Sequence, residues 1–187
     1  MVNLVPVIKR WVLIEASPEI VFDYLTDLSN HGEWEEYEGF VVVGITKGPV
    51  IKGSSCQRER AETFQAPMLR GGNISDRVTW IKSLTVIGCD PNLSLDFETK
   101  NLYNGLSLGS ELVSFRLNSQ SSGTVLTMTD RKSPHLPGPF HVLMMGVEVI
   151  KSWVALPVIG FLFWVFPALR VNSKLKKIKR GVEGLRT

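Results

Sequence analysis

Residues Ile14-Glu15-Ala16-Ser17-Pro18-Glu19-Ile20-Val21-Phe22-Asp23-Tyr24-Leu25-Thr26-Asp27-Leu28 decide how the rest of the chain is read. A serine, then a proline, then an acid is a helix start. Serine suits the N-cap, proline costs nothing at the first helical position, and the acid faces the positive helix end. Ile20, Val21, Tyr24, Leu25 and Leu28 recur at helical spacing, so a short amphipathic helix should run to about Leu28. Ser29-Asn30-His31-Gly32 breaks it, and Glu33 to Tyr37 reads as one or two further helical turns with Trp34 and Tyr37 on one side. Upstream, Ile8 to Ala16 reads as a strand. Trp11 and Leu13 on one face and Val12 and Ile14 on the other suit a strand covered at least in part on both sides.

Downstream the texture changes to strands and turns. Phe40 to Ile45 is β-branched and stops at Thr46-Lys47-Gly48-Pro49. Ser55 to Phe64 alternates, with Arg58, Arg60 and Glu62 on one parity, and Arg77 to Ile87 alternates likewise. Leu93, Leu95, Phe97 and Thr99 alternate against Ser94, Asp96, Glu98 and Lys100. Glu111 to Asn118 and Thr124 to Asp130 flank the polar turn Ser119–Gly123. No helix intervenes, so the sheet should be antiparallel.

The last 50 residues are helical in texture and are entered through Pro134, Pro137, Gly138 and Pro139. One helix from Phe140 to Leu185 would be ~69 Å long, too long for one sheet of a small domain. Breaks or kinks are therefore expected near Pro157 and Pro167. Leu175, Ile178, Val182 and Leu185 form an apolar stripe, with Lys174, Lys176, Lys177, Lys179 and Arg180 around it.

Length and composition agree with one domain spanning 1–187. The chain has 187 residues, is 44% hydrophobic and 21% charged, which excludes a disordered or collagen-like chain. The net charge of +3 hides a split: residues 1–137 carry 13 basic and 16 acidic side chains, and residues 138–187 carry 8 and 2. An acidic sheet body thus precedes a basic, apolar helical region. Met1 to Pro6 lacks the basic start of a secretory signal, and Cys56 and Cys89 have no paired spacing, so a cytoplasmic, reducing location with two thiols is expected.

The order is strand, two short helices, about six antiparallel strands and a long C-terminal helix. Together with Ile14 to Leu28, the following Trp34, and the closing Leu175-Lys176-Lys177-Ile178-Lys179-Arg180-Gly181-Val182-Glu183, it resembles the START/polyketide cyclase (SRPBCC) superfamily. The resemblance implies an α+β helix-grip fold: a curved antiparallel sheet of about seven strands wrapped around a long C-terminal helix. It also implies an apolar cavity for a lipid, quinone, polyketide or aromatic ligand. It fixes no reaction, because binders and enzymes share the fold.

In that architecture Trp34, Phe64, Trp80, Phe97, Tyr103, Phe115, Met144, Trp153 and Phe161 are candidate cavity-lining residues, and Arg58 and Arg60 candidate polar anchors. No catalytic residue, cofactor or metal is assigned. Ser152 to Leu169 is 18 residues without a charge, bounded by Lys151 and Arg170, at the lower limit for a bilayer span. Three placements are open: a buried helix closing the cavity, a segment docked on a membrane surface, or a span. Docking would use Trp153, Phe163 and Trp164 with the basic Lys174, Lys176, Lys177, Lys179 and Arg180 on anionic headgroups.

The expected partners are a hydrophobic small molecule and an anionic membrane surface. Nucleic acid is not expected, since the strand region nets negative. A ligand-binding or transfer protein is the leading reading. A cyclase- or dehydratase-like enzyme and an interaction protein docking through the apolar C-terminal segment are the alternatives. Gly105-Leu106-Ser107-Leu108-Gly109 matches G-x-S-x-G, but a strand rather than a helix follows, so a Gly-rich hairpin turn is expected instead. His31 beside Glu33, Glu35, Glu36 and Glu38 lacks a spaced metal-ligand set.

Overall fold

A computed structural model describes residues 7–35, 39–67, 73–133 and 155–185; the side chains of 62–67, 73–78, 108, 132–133 and 155–168 fall outside the description. Strand β1 (Val7–Ile14) leads into α1 (Pro18–Thr26) and the single turn α2 (His31–Trp34). Then follow β2 (Val41–Ile45), β3 (Ser55–Pro67), β4 (Asn73–Asp90), β5 (Ser94–Tyr103), β6 (Leu106–Gln120) and β7 (Gly123–Ser133). The last described element is α3 (Ala155–Gly184). The seven strands form one antiparallel sheet in the order β1-β7-β6-β5-β4-β3-β2. The expected α+β architecture, with two short helices after the first strand and a C-terminal helix packed on the sheet, is what the chain forms.

Alternation in the strands sorts the core. Leu84, Val86, Leu95, Phe97, Val113, Phe115, Leu117, Leu126 and Met128 are all buried on one face. Register brings Leu95 opposite Phe115, Phe97 opposite Val113, and Leu117 opposite Leu126, so apolar side chains stack across neighbouring strands. Trp34 sits edge-on to Phe115 at 5.8 Å, and Phe97 edge-on to Phe115 at 6.1 Å. The two faces of β1 differ in burial. Ile8 and Val12 pack on the core beside buried Ile14, whereas Trp11, on the opposite parity, is 70% exposed.

The helices differ from expectation at their ends. Ser17 takes the extended N-cap conformation, but its side chain caps no backbone amide. α2 begins at His31, two residues before the expected Glu33, because His31 and Trp34, three apart on one turn, are both buried against the sheet. α3 continues through both Pro157 and Pro167 over 30 residues, about 45 Å. Pro157 is its third residue, where an amide has no partner within the element, and Pro167 deletes only one backbone bond. Beyond Pro167, Val171, Leu175, Ile178 and Val182 are all buried, packing α3 chiefly on β1 and α2. Leu185, expected on that stripe, falls past the helix end and is exposed.

Two contacts fix α3 at its C-terminal end. Gly181 lies against the Tyr24 ring: a Cβ there would fall 2.5 Å from Tyr24 Cζ and 2.9 Å from its Cε2. The Tyr24 hydroxyl donates to Glu33 Oε2 at 2.7 Å, and the Glu15 amide donates to Glu183 Oε1 at 3.1 Å. Burial, then the bond to Glu33, raises the Tyr24 phenol pKa well above its ordinary range.

Candidate functional site

The buried face changes chemistry along its length. Continuing β3 past buried Cys56, the same parity brings Arg58 and Arg60. Continuing β4 past Leu84 it brings Lys82 and Trp80, continuing β6 past Val113 it brings Glu111, and continuing β7 past Met128 it brings Asp130. Arg58 is directly opposite Lys82, and Asp130 directly opposite Val113. Arg58 and Asp130 are 5% and 3% exposed, rare for charged residues.

α3 and the residue after α2 complete the group. Lys174, 2% exposed, donates to Glu35 Oε1 and lies 3.6 Å from Glu111 Oε1. The helix is thereby tied to both the sheet and the α2 turn through one ammonium. Burial alone would lower the Lys174 pKa, but attraction to Glu35 and then Glu111 outweighs it and leaves the pKa above its usual value. Lys82 goes the other way. Burial is the main cause of its lowered pKa; Arg170 and Lys174 add to the lowering, while Glu35 and Glu111 oppose it. Its Nζ lies 5.0 Å over the centre of the Phe40 ring. Glu35, Lys82, Glu111, Arg170 and Lys174 thus form one electrostatically linked set beside the aromatic floor.

A second buried polar group joins the floor to α1. His31 is 1% exposed, with its ring centre 4.3 Å from that of Trp34 and 4.8 Å from that of Phe97. Nε2 lies 3.2 Å from the Leu25 carbonyl, so it carries the proton and donates. Burial is the main cause that pulls the His31 pKa down to about 3, leaving the ring neutral. Arg58 Nη2 donates to the Leu28 carbonyl at 3.4 Å, and Gly32 makes room for it, since a Cβ there would meet Arg58 Nη1 at 2.8 Å.

The sequence-selected residues divide as follows. Trp34, Phe97 and Phe115 are buried together in the floor. Trp80 and Tyr103 are half-buried, opposite each other across β4 and β5, with ring centres 4.6 Å apart. Arg58 is buried, and Arg60 is half-buried beside Gly39. Phe64, Phe161, Phe163 and Trp164 are placed by backbone alone, on β3 and α3, while Met144 and Trp153 lie outside the described residues. On the basic face of α3, Lys176 and Arg180 are exposed, and Lys177 and Lys179 half-buried. Lys174 is the correction: the sequence groups it with the membrane-facing lysines, but it points into the protein, where two carboxylates hold it.

Sequence reasoning misses Glu35, Lys82, Glu111, Asp130 and Arg170 as interior residues, although a signal for three interior charges is present. Lys174 lies three residues after Val171 and four before Ile178, on the apolar stripe itself. Glu111 shares the parity of Val113 and Phe115, and Lys82 that of Leu84 and Val86. In each case the periodicity points inward where the charge alone points outward.

Other candidates resolve more simply. Asn104 and Gly105, with φ of 47° and 79°, make the two-residue turn joining Tyr103 to Leu106. Ser107 then lies in β6 with no following helix, so the G-x-S-x-G stretch forms no nucleophile elbow. Among the described residues no three His, Cys, Asp or Glu side chains come together as metal ligands. Cys56 and Cys89 are unbridged. A shallow surface cleft of about 460 Å³ lies between the C-terminal end of α1 and the β2–β3 turn, lined by Asp23, Asp27, Ile45, Lys47 and Val50 among others. Among the described residues, no helix is long and apolar enough to cross a membrane.

No family model matches the chain, and no curated protein matches it in sequence. Its shape does match solved structures. Protein TTHA0849 from Thermus thermophilus superposes with a TM-score of 0.54 at 15% identity, covering 97% of this chain and 100% of that one. Protein CV1439 from Chromobacterium violaceum gives 0.53 at 15% identity, with 95% and 96% covered. Protein Ms6760 from Mycobacterium smegmatis gives 0.51 at 8% identity, with 96% and 92% covered. At these identities the likeness is one of fold, over nearly the whole of each chain.

Proposed function

We propose that this chain is a START/polyketide cyclase-like protein that binds, and carries, a hydrophobic small molecule between the sheet face and the C-terminal helix. The observation that carries this reading is the change from an aromatic floor (Trp34, Phe97, Phe115) to a charged set (Glu35, Lys82, Glu111, Arg170, Lys174) on one face. A site that is apolar with a few convergent polar groups orients an amphipathic ligand, such as a lipid, quinone, polyketide or aromatic acid. Arg58 and Arg60 extend the polar end. Loading would occur in the cytoplasm at an anionic membrane surface, reached by Lys176, Lys177, Lys179 and Arg180. Native mass spectrometry and calorimetric titration with dodecanoate test the reading. One bound molecule per chain, weakened by Phe97→Ala and by Lys82→Met, supports it; absence of saturable binding to a folded chain refutes it.

A second reading has its own support. Lys82, with its pKa lowered chiefly by burial, shares an electrostatic set with the carboxylates of Glu35 and Glu111, as proton-moving catalysts require. A cyclase- or dehydratase-like enzyme would use that set on a polyketide-like or aromatic substrate in the same place. Conversion of a bound poly-β-keto probe, lost in Glu35→Gln, separates the two.

A further inference from the structure

We propose that the outer side of the edge strand β1, centred on Trp11, docks the protein on a bilayer of anionic phospholipid. The inference deepens the membrane-loading part of the reading above and rests on it, whatever the ligand. β1 ends the sheet, with β7 as its strand neighbour. Ile8 and Val12 pack on the core, so the other parity, Val7, Lys9 and Trp11, faces outward. Val7 is 55% exposed, and Trp11, at 70%, is the most exposed large hydrophobic side chain among the described residues. Lys9 stands exposed between them. Arg10 is exposed as well, and its Nη1 donates to the Lys9 carbonyl at 2.9 Å, which keeps its charge beside Lys9. Opposite Val7 on β7 stands exposed Arg131.

These cations are open to an outside anion. Lys100 is paired with Glu98, Arg116 with Asp96 and Lys179 with Glu183, whereas Lys9, Arg10 and Arg131 have no carboxylate within ion-pair distance among the described residues. α3 packs chiefly on β1 and brings exposed Lys176 and Arg180 to the same edge. Two features favour a bilayer over another strand or a second copy. Charged side chains on an edge strand oppose pairing with a further strand. Val7 and Trp11 also alternate with a cation instead of forming a continuous apolar patch. That pattern suits the headgroup level, where an indole buries its ring and keeps its N–H in the polar layer while cations meet phosphates. The opposite edge makes the contrast: β2 exposes Val41, Val42 and Val43 without a charge, so it has no attraction to phosphate.

A cation near an anionic membrane surface strengthens binding about fivefold, and salt screens the gain. Removing the Lys9 and Arg10 charges together should therefore weaken binding roughly 25-fold at low salt. Removing the indole should weaken it several-fold at any salt, because ring burial is not screened.

Co-sedimentation with phosphatidylcholine–phosphatidylserine vesicles tests this, with phosphatidylcholine alone as the comparison and melting curves reporting folding. Binding should need phosphatidylserine, fall roughly 25-fold in the double variant Lys9→Gln, Arg10→Gln, and fall several-fold in Trp11→Ser. With brominated phosphatidylcholine in the vesicles, tryptophan fluorescence of the bound wild type should be quenched. Trp11→Phe should bind nearly as well yet lose most of that quenching. Vesicle binding unchanged in the β1 variants, or quenching that persists in Trp11→Phe, overturns the proposal and leaves α3 as the membrane contact. A dimer in light scattering that Trp11→Ser abolishes, without vesicle binding, makes the patch a self-association surface and overturns it too. If the folded chain binds no anionic vesicle at all, the membrane part of the reading above falls with it, while dodecanoate binding decides the ligand part separately.

Discussion

Replacing Lys174 by methionine removes the ammonium that joins α3 to Glu35 and to Glu111. The two carboxylates, with side chains only 11% and 12% exposed, would keep their negative charges near the floor without that partner. Breaking a buried pair from one side typically costs about 3–5 kcal/mol, far more than the pair adds over an apolar replacement. For a domain of this size each kcal/mol lowers Tm by roughly 2–4 °C, so Lys174→Met should lose roughly 6–20 °C. Lys176→Met, on the exposed face of the same helix, should stay within about 0.5 kcal/mol of the wild type. The triple variant Lys174→Met, Glu35→Gln, Glu111→Gln should recover much of the loss, because it removes the stranded charges as well. The sign with pH follows from the raised pKa. Stability from Lys174 is fully present below the unfolded lysine pKa of 10.5 and is lost as pH rises through the higher folded value. Thermal melts at pH 7 and pH 11 with matched salt measure both effects. A loss under about 1 kcal/mol at pH 7 would mean that the group is solvated, and the buried charged set would no longer stand.

Three further outcomes are expected. Gly181→Ala should destabilise by about 1–3 kcal/mol through overpacking against Tyr24, although alanine in an open helix would gain about 1 kcal/mol; a rise in Tm would show that α3 does not rest on α1 there. His31, neutral in the fold down to about pH 3, contributes stability that is fully present above its unfolded value of 6.5 and is lost as pH falls toward 3. The stability-against-pH slope between those values should flatten in His31→Gln, and an unchanged slope would assign the acid sensitivity to other groups. Neutralising Lys176, Lys177 and Lys179 to glutamine should weaken co-sedimentation with phosphatidylserine vesicles at low salt while leaving Tm nearly unchanged; equal sedimentation would make these lysines an ordinary solvated face.

The fold is legible because its signals are local. The Ser17-Pro18-Glu19 start, the alternation through β3 to β7, and the 3-4 spacing of the α3 stripe each follow from one element's own geometry. The interior charges are not legible in the same way. Whether Glu111 faces in depends on a partner far away in sequence, Lys174 on the last helix. A charged residue on an apolar parity can only be trusted as buried once such a partner is known. The early start of α2 has the same cause: the floor made by Phe97 and Phe115 holds His31 and Trp34 in one turn despite Gly32. Pro157 and Pro167 do not end the helix, because proline's penalty is local, whereas the packing of Val171 to Val182 on β1 and α2 holds the helix beyond them.

Amide NMR shifts during a dodecanoate titration test the central claim most directly. Saturating shifts are expected at one equivalent, centred on Phe97, Phe115, Glu111, Lys82 and Lys174, with exposed Val41 to Val43 on the edge strand β2 unaffected. Shifts confined to that exposed edge, or none at all with the fold intact, would contradict it.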